Sequence, residues 1–428
     1  MYITSLSVDN IKLLANQTFS FTRADGSPRM WTVLIGDNGL CKTTILQAIA
    51  LITSGEKVAS ALVPNARELV RFENSGNRAS ISATFLARGV SEEARALTAS
   101  RPSLAVESDR YDFVADEPAR VFDLIRGKRL GGFFVAGYGV GRSVAKPGEV
   151  GVPQDFTRDR IEGLFDPHHR LISLEFAKLN NNTQPFSRVL TFFRRLHDIF
   201  EGNSEEETLL PSRPRMAFGR FEPGTGPGDF RFAFDGQPFA QRAGQLSQGY
   251  RSTIAWISDL IGQAMFEAGG FRELGEPALE ELEGVVLLDE IDLHLHPTWQ
   301  RRFVPVLKRL FPKLQFIVTT HSPLVLTGFE QDEIIELHLE EGLVVQRPGR
   351  VEPGLLTASE LLSSYFDVPR AGRPELVEKE REFLVLDGKN DRTTQEEALW
   401  AELRRTLAPY WGELSEVERE SGAHAEEE

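Results

Sequence analysis

The run Gly36-Asp37-Asn38-Gly39-Leu40-Cys41-Lys42-Thr43-Thr44 carries the residue types that grip a polyphosphate. Gly36 and Gly39, with Asn38 in the same turn, let backbone N–H groups curl around phosphate oxygens. The helix that opens next adds its partial positive charge. Lys42 suits the β- and γ-phosphates as a compact cation, Thr43 offers a hydroxyl to Mg2+, and Thr44 follows in the same turn. Cys41 departs from the usual pattern, which has glycine before the lysine. If that position needs an unusual backbone angle, its Cβ costs about 1 kcal/mol. Cys41 reads either as a tolerated small residue or as a redox-sensitive thiol near a helix N-terminus.

Val285-Val286-Leu287-Leu288-Asp289-Glu290 is an apolar strand that delivers two adjacent carboxylates. Asp289 suits Mg2+ and its waters, and Glu290 suits a general base for an attacking water. Taken alone, the pair reads more readily as an acidic turn after an ordinary strand. Phe316-Ile317-Val318-Thr319-Thr320-His321 is a second buried strand, ending in a histidine that could sense a γ-phosphate or place a water. Ser247-Gln248-Gly249 opens a helix through Ile254, Ile257 and Leu260, and such an N-terminus can bind a γ-phosphate.

The elements around these residues are read from periodicity. Alternation predicts strands over Tyr2–Val8, Thr18–Phe21 and Ala79–Phe85. Trp31–Ile35 and Phe133–Gly139 read as buried strands ending in glycine turns, and Ile45, Leu46, Ile49 and Ala50 recur at helical spacing. Helices are expected at 91–100, 189–200, Trp299–Leu310 and Glu396–Leu407, and 222–228 reads as a loop. Phe383-Leu384-Val385-Leu386-Asp387 is strand-like but lacks the glutamate and the downstream Asp-x-Asp of a Toprim nuclease, so no built-in nuclease is expected. The expected division is 1–55 and 241–350 as two parts of one α/β core, 56–240 as a mixed α/β insertion, and 351–428 as a helical appendage with an acidic tail.

Composition narrows the function classes. The 428 residues hold 48 Lys and Arg against 63 Asp and Glu, a net charge of −15, which excludes a surface that coats nucleic acid throughout. One cysteine excludes a disulfide framework and a thiolate metal cluster. The first residues lack a signal-peptide pattern, and no apolar run approaches the roughly 20 residues of a membrane span. A soluble, cytoplasmic chain without membrane contact is the expectation.

The ordered set resembles the ABC-type ATPases, in the branch that includes RecF, SMC heads and OLD-like ATPases. Lys42 matches the Walker A lysine, Ser247-Gln248-Gly249 the signature, Asp289-Glu290 the Walker B pair and His321 the switch histidine. Leu288-Asp289-Glu290-Ile291-Asp292-Leu293-His294-Leu295-His296-Pro297 and Thr319-Thr320-His321-Ser322-Pro323 resemble more narrowly the compact AAA-type ATPases of bacterial anti-phage operons and retron cassettes, such as those of Septu and PARIS systems.

The resemblance implies an α/β P-loop NTPase, an ABC-ATPase head, that binds ATP and Mg2+. It implies a head-to-tail homodimer, or a higher even oligomer, in which Ser247 and Gly249 of one subunit complete the ATP site of another. It implies a sensor or regulatory role over a separate effector nuclease of HNH or Toprim type. A RecF-like DNA-repair ATPase, with direct DNA binding, and a nucleotide-locked scaffold with little turnover are the rival readings.

Several residues keep two readings. Lys12 is a candidate adenine contact, and Gln154 is the first glutamine after Gln47 that could serve the Mg2+ and water site. His294 and His296 suggest either a metal or, by the resemblance, the loop crossing a dimer interface. Arg301, Arg302, Lys308, Arg309 and Lys313 make a basic helix that faces solvent, a subunit or DNA. Arg142, in Tyr138-Gly139-Val140-Gly141-Arg142, either reaches phosphate or closes the lobe. Leu399, Trp400 and Leu403 form a stripe that docks a partner or packs on its own core.

Overall fold

The computed structural model describes residues 1–71, 78–86, 101–106, 113–116, 134–144, 156–171, 220–223, 230–233, 241–242, 248–267, 279–368, 374–389 and 391–408. The expected helices at 91–100 and 189–200, most of the loop at 222–228, and the acidic tail lie outside them. They fall into two compact units, Met1–Leu356 and Thr357–Glu428.

The first unit begins with β1 (Tyr2–Asp9), β2 (Gln17–Ser20) and β3 (Trp31–Ile35), followed by α1 (Lys42–Ser54) and α2 (Glu56–Leu62). Next come β4 (Ala79–Leu86), β5 (Ser103–Val106), β6 (Phe113–Ala115), β7 (Val135–Tyr138), β8 (Ser143–Val144), α3 (Phe156–Glu162) and β9 (Arg170–Leu171). A small ribbon, β10 (Arg220–Pro223), β11 (Phe230–Ala233) and β12 (Gln241–Arg242), precedes α4 (Gln248–Glu267). The unit closes with β13 (Gly284–Leu288), α5 (Pro297–Leu310), β14 (Leu314–Thr319), α6 (Pro323–Leu326), β15 (Ile334–Glu340) and β16 (Leu343–Pro348).

Two sheets dominate. One is antiparallel, in the order β2-β1-β4-β5-β6, and the other runs β16-β15-β3-β14-β13-β7. In the second, β15, β3, β14, β13 and β7 are parallel and only the edge strand β16 is antiparallel. The mostly apolar strands β3, β13 and β14 are buried at every position, as parallel strands covered on both faces must be. β7 falls within residues 56–240 of the sequence division, yet it is an edge strand of this parallel sheet. Its four residues are all buried, and it pairs in parallel with β13.

Helix α1 joins the two sheets. All but two of its 13 residues are buried, so it has no solvent face. Ile45, Leu46 and Ile49 share one core with Ile3, Leu6, Ile81 and Phe85 of the antiparallel sheet and with Leu34, Leu287 and Ile317 of the parallel one. On the other face of the parallel sheet, Trp31 stacks on Phe316 with ring centroids 4.3 Å apart, and Trp256 of α4 meets Phe303 of α5 edge-on. Gln315 is polar in a buried strand because it ties the sheets together. Its Oε1 accepts from the Ile3 N–H at 2.8 Å, and its Nε2 donates to the Ile3 and Arg29 carbonyls.

The basic helix α5 is partly spent on internal pairs. Lys308 Nζ lies 2.5 Å from the buried Glu333 carboxylate, and Lys313 beyond the helix pairs with Glu281. No described helix is long and apolar enough to cross a membrane.

In the second unit, α7 (Ala358–Tyr365) precedes a pair of helices that pack on each other, α8 (Pro374–Asp387) and α9 (Thr394–Leu407). Thr357 and Thr393 cap α7 and α9 through boxes closed by Glu360 and Glu396. The Leu399, Trp400 and Leu403 stripe packs on α8, in a core with Phe383, Leu386 and Leu407. The Trp400 indole donates to Asp387 at 2.9 Å and lies under the guanidinium groups of Arg392 and Arg404. The Toprim-like segment is therefore the end of a helix, not a strand.

Candidate active site

Parallel pairing brings the C-terminal ends of β3, β13, β14 and β7 to one edge of the sheet, where ligands of open α/β sheets bind. Gly36–Cys41 follow β3, Asp289 and Glu290 follow β13, His321 follows β14, and Gly139–Arg142 follow β7.

The phosphate-loop residues form a tight turn into α1. Gly36 (φ +144°) has no room for a side chain, since a Cβ there would lie 2.5 Å from the Leu337 carbonyl oxygen. Gly39 (φ +86°) is exposed, like Asp37 and Asn38 beside it. Cys41 is the N-cap of α1 and has φ +62°, so the departure from glycine falls on a left-handed residue. Its buried Sγ lies 3.9 Å from the Gly39 carbonyl. In stability, Cys41→Gly is expected to change little, within about 1 kcal/mol, because relieved strain offsets lost packing and greater unfolded-chain freedom. Cys41→Val, branched at Cβ in a left-handed position, is expected to cost about 1–2 kcal/mol. Thermal melting of both variants checks this pair.

Lys42 is buried, and its Nζ donates to the Gly36 and Asp37 carbonyls at 2.7 and 2.9 Å. Burial pushes its ammonium below the usual lysine value, while Asp289, Asp37 and Glu290 pull it back up. A cation held by loop carbonyls and faced by carboxylates is suited to exchanging those carbonyls for phosphate oxygens. Thr44 is buried, and its Oγ1 accepts from Lys12 Nζ at 3.1 Å, which places Lys12 against the first turn of α1.

Thr43 and Asp289 lie 246 positions apart in the chain and meet here: Thr43 Oγ1 donates to Asp289 Oδ2 at 2.8 Å. The other carboxylate oxygen accepts from Thr319 Oγ1 at 2.6 Å, and Thr319 Oγ1 in turn accepts from the Glu290 N–H at 2.7 Å. Thr319 was not singled out by sequence. Its signal is its place in the Thr319–Pro323 motif, at the same sheet edge as Asp289. A hydroxyl and a carboxylate make a hard oxygen donor set, which suits Mg2+. Among the described residues no group of three or more His, Cys, Asp or Glu side chains gathers as a metal site.

Glu290 is half-buried with φ +48°, and it begins the turn leading to His294 (φ +64°). Thr320 Oγ1 holds Asp292 in that turn at 2.5 Å. His321 is half-buried just past β14. Gly249, in the first turn of α4, packs on the same turn, where a Cβ would lie 2.2 Å from the His294 carbonyl oxygen. Ser247 and Gln154 lie outside the described residues, as does the side chain of Gln248.

The chain is 27% identical over 409 residues to the Septu protein PtuA of Bacillus mycoides (strain KBAB4), covering 93% of this chain and 49% of that relative. It is 45% identical over 92 residues to the Retron Vc95 probable ATPase of Vibrio cholerae serotype O1 biovar El Tor, covering 21% of this chain and 16% of that one. The chain thus spans about half the length, or less, of these relatives. A crystal structure of the SmcHead bound to the C-winged helix domain of ScpA matches at TM-score 0.49 and 16% identity, over 81% of this chain and 98% of that chain. Residues 31–327 of the 428 match the family described as "AAA domain, putative AbiEii toxin, Type IV TA system", and the chain belongs to that family.

Proposed function

We propose that the chain is an ABC-type ATPase that binds ATP with Mg2+, hydrolyses it, and pairs head to tail with a second copy on ATP. The observation that carries this reading is the Thr43–Asp289 hydrogen bond, which joins the phosphate loop to the carboxylate strand. In this reading Gly36, Asn38, Gly39, Cys41 and Thr44 shape the nucleotide cradle, and Lys42 holds the phosphates. Thr43 and Asp289 would hold Mg2+, which when bound neutralises phosphate charge. Glu290 takes the proton of the attacking water, and His321 fixes the γ-phosphate end. Ser247 and the Gly249 backbone complete the site of the partner copy, with Gln248 between them.

The biological role we assign is sensor or regulatory subunit of an anti-phage defence system, controlling a separate effector nuclease of HNH or Toprim type. Similarity to a Septu protein and to a retron probable ATPase supports it.

Mixing tests the shared site. Lys42→Ala and Ser247→Arg are each expected to be inactive alone. A 1:1 mixture should recover about a quarter of wild-type turnover, because each mixed pair holds one intact composite site. A mixture as inactive as its components would refute sharing. Co-purification of the full chain with neighbouring gene products, with and without ATP, tests the effector.

A further inference from the structure

Glu290 has a backbone conformation that residues with a Cβ rarely adopt, with φ +48°. Two side chains grip it from opposite sides. Thr319 Oγ1 accepts from its N–H, and Arg142 Nη2 donates to its carbonyl at 2.8 Å. The same Arg142 nitrogen donates to the Asp289 carbonyl, and Arg142 Nε donates to the Gly139 carbonyl at 2.9 Å. The guanidinium is buried. Burial outweighs the pull of the facing Asp289, Asp292 and Glu290 carboxylates and brings its pKa down to about 10, so it remains a cation at neutral pH.

The loop that carries Arg142 is built to hold this position. A Cβ on Gly139 would lie 2.1 Å from the Gly163 carbonyl oxygen, and one on Gly141 would lie 1.8 Å from that of Pro167. Only glycine lets the loop press so closely on the turn after α3. Directly beyond Arg142, β8 pairs in parallel with β9. At its start, the Tyr138 hydroxyl donates to the buried Asp259 carboxylate of α4 at 2.9 Å.

We infer that Arg142 is a positioning residue for hydrolysis: its forked donors lock the turn at the left-handed Glu290 and so aim the Glu290 carboxylate at the attacking water. The inference rests on the reading of Glu290 as general base. Lysine keeps the charge but presents a single ammonium, which cannot reproduce the planar fork that spans three carbonyls.

The test pairs turnover with nucleotide binding in Arg142→Lys and Arg142→Gln, using a fluorescent ATP analogue with Mg2+. Turnover should fall about 10- to 100-fold while analogue affinity stays within about threefold of wild type. In a Glu290→Gln background, Arg142→Lys should cause no further loss, since the two residues act as one unit. Turnover within about twofold of wild type in both Arg142 variants, with Glu290→Gln inactive, overturns the inference and leaves the ATPase reading standing. Loss of nucleotide binding in both variants, in step with turnover, also overturns it, because Arg142 would then be only a structural tie. A Glu290→Gln variant as active as wild type removes both the inference and the reading beneath it.

Discussion

Glu290→Gln is expected to lower ATP turnover by about 10²- to 10⁴-fold, the range a positioned general base contributes. Glutamine has nearly the same shape and keeps both backbone anchors, the N–H to Thr319 and the carbonyl to Arg142. It cannot take a proton. The nucleotide cradle, built from Gly36–Thr44 and Asp289, is untouched, so affinity for ATP with Mg2+ should stay within about threefold of wild type. Phosphate release measured beside equilibrium nucleotide binding checks this. Equal losses in both quantities would show that Glu290 matters for binding and not for proton transfer.

Asp289→Asn is expected to weaken the apparent affinity for Mg2+ by about 10- to 100-fold. The wild-type carboxylate accepts from two hydroxyls, Thr43 at 2.8 Å and Thr319 at 2.6 Å. The amide keeps one oxygen for one of them and turns its NH2 toward the other, so the fold survives at a cost of about 1–3 kcal/mol. What is lost is the negative charge that the divalent cation would meet. A Mg2+ titration of ATPase activity, with a melting curve beside it, reads both effects. An unchanged Mg2+ midpoint would remove Asp289 from the metal's surroundings.

The architecture was legible wherever a strand is fully buried. Trp31–Ile35, Val285–Leu288 and Phe316–Val318 are mostly apolar runs, and each forms part of a strand of the parallel sheet. The order of the motifs also foretold that Lys42, Thr43, Asp289 and Glu290 would face one another, because each follows a strand of that sheet. What the sequence could not show depends on lateral neighbours. Thr319 bridges Asp289 and Glu290 only because β14 lies between β3 and β13, an order that no periodicity encodes. Arg142 was visible as an arginine after a glycine turn. Its bonds to the Asp289 and Glu290 carbonyls depend on β7 pairing with β13, 150 positions away in register from Val135 to Val285. Phe383–Asp387 shows the opposite limit. A short apolar run fits strand or helix alike, and here the packing of Phe383 and Leu386 against α9 makes it helical.

The fate of bound ATP tests the central claim most directly. Wild-type protein is loaded with radiolabelled ATP, excess Mg2+ is added, and the nucleotide recovered after quenching is identified over time. Conversion to ADP and phosphate is expected, requiring Mg2+ and nearly absent in Glu290→Gln. Stoichiometric recovery of intact ATP from the wild type, at the same slow rate as from the variant, would contradict it and leave a nucleotide-locked scaffold in its place.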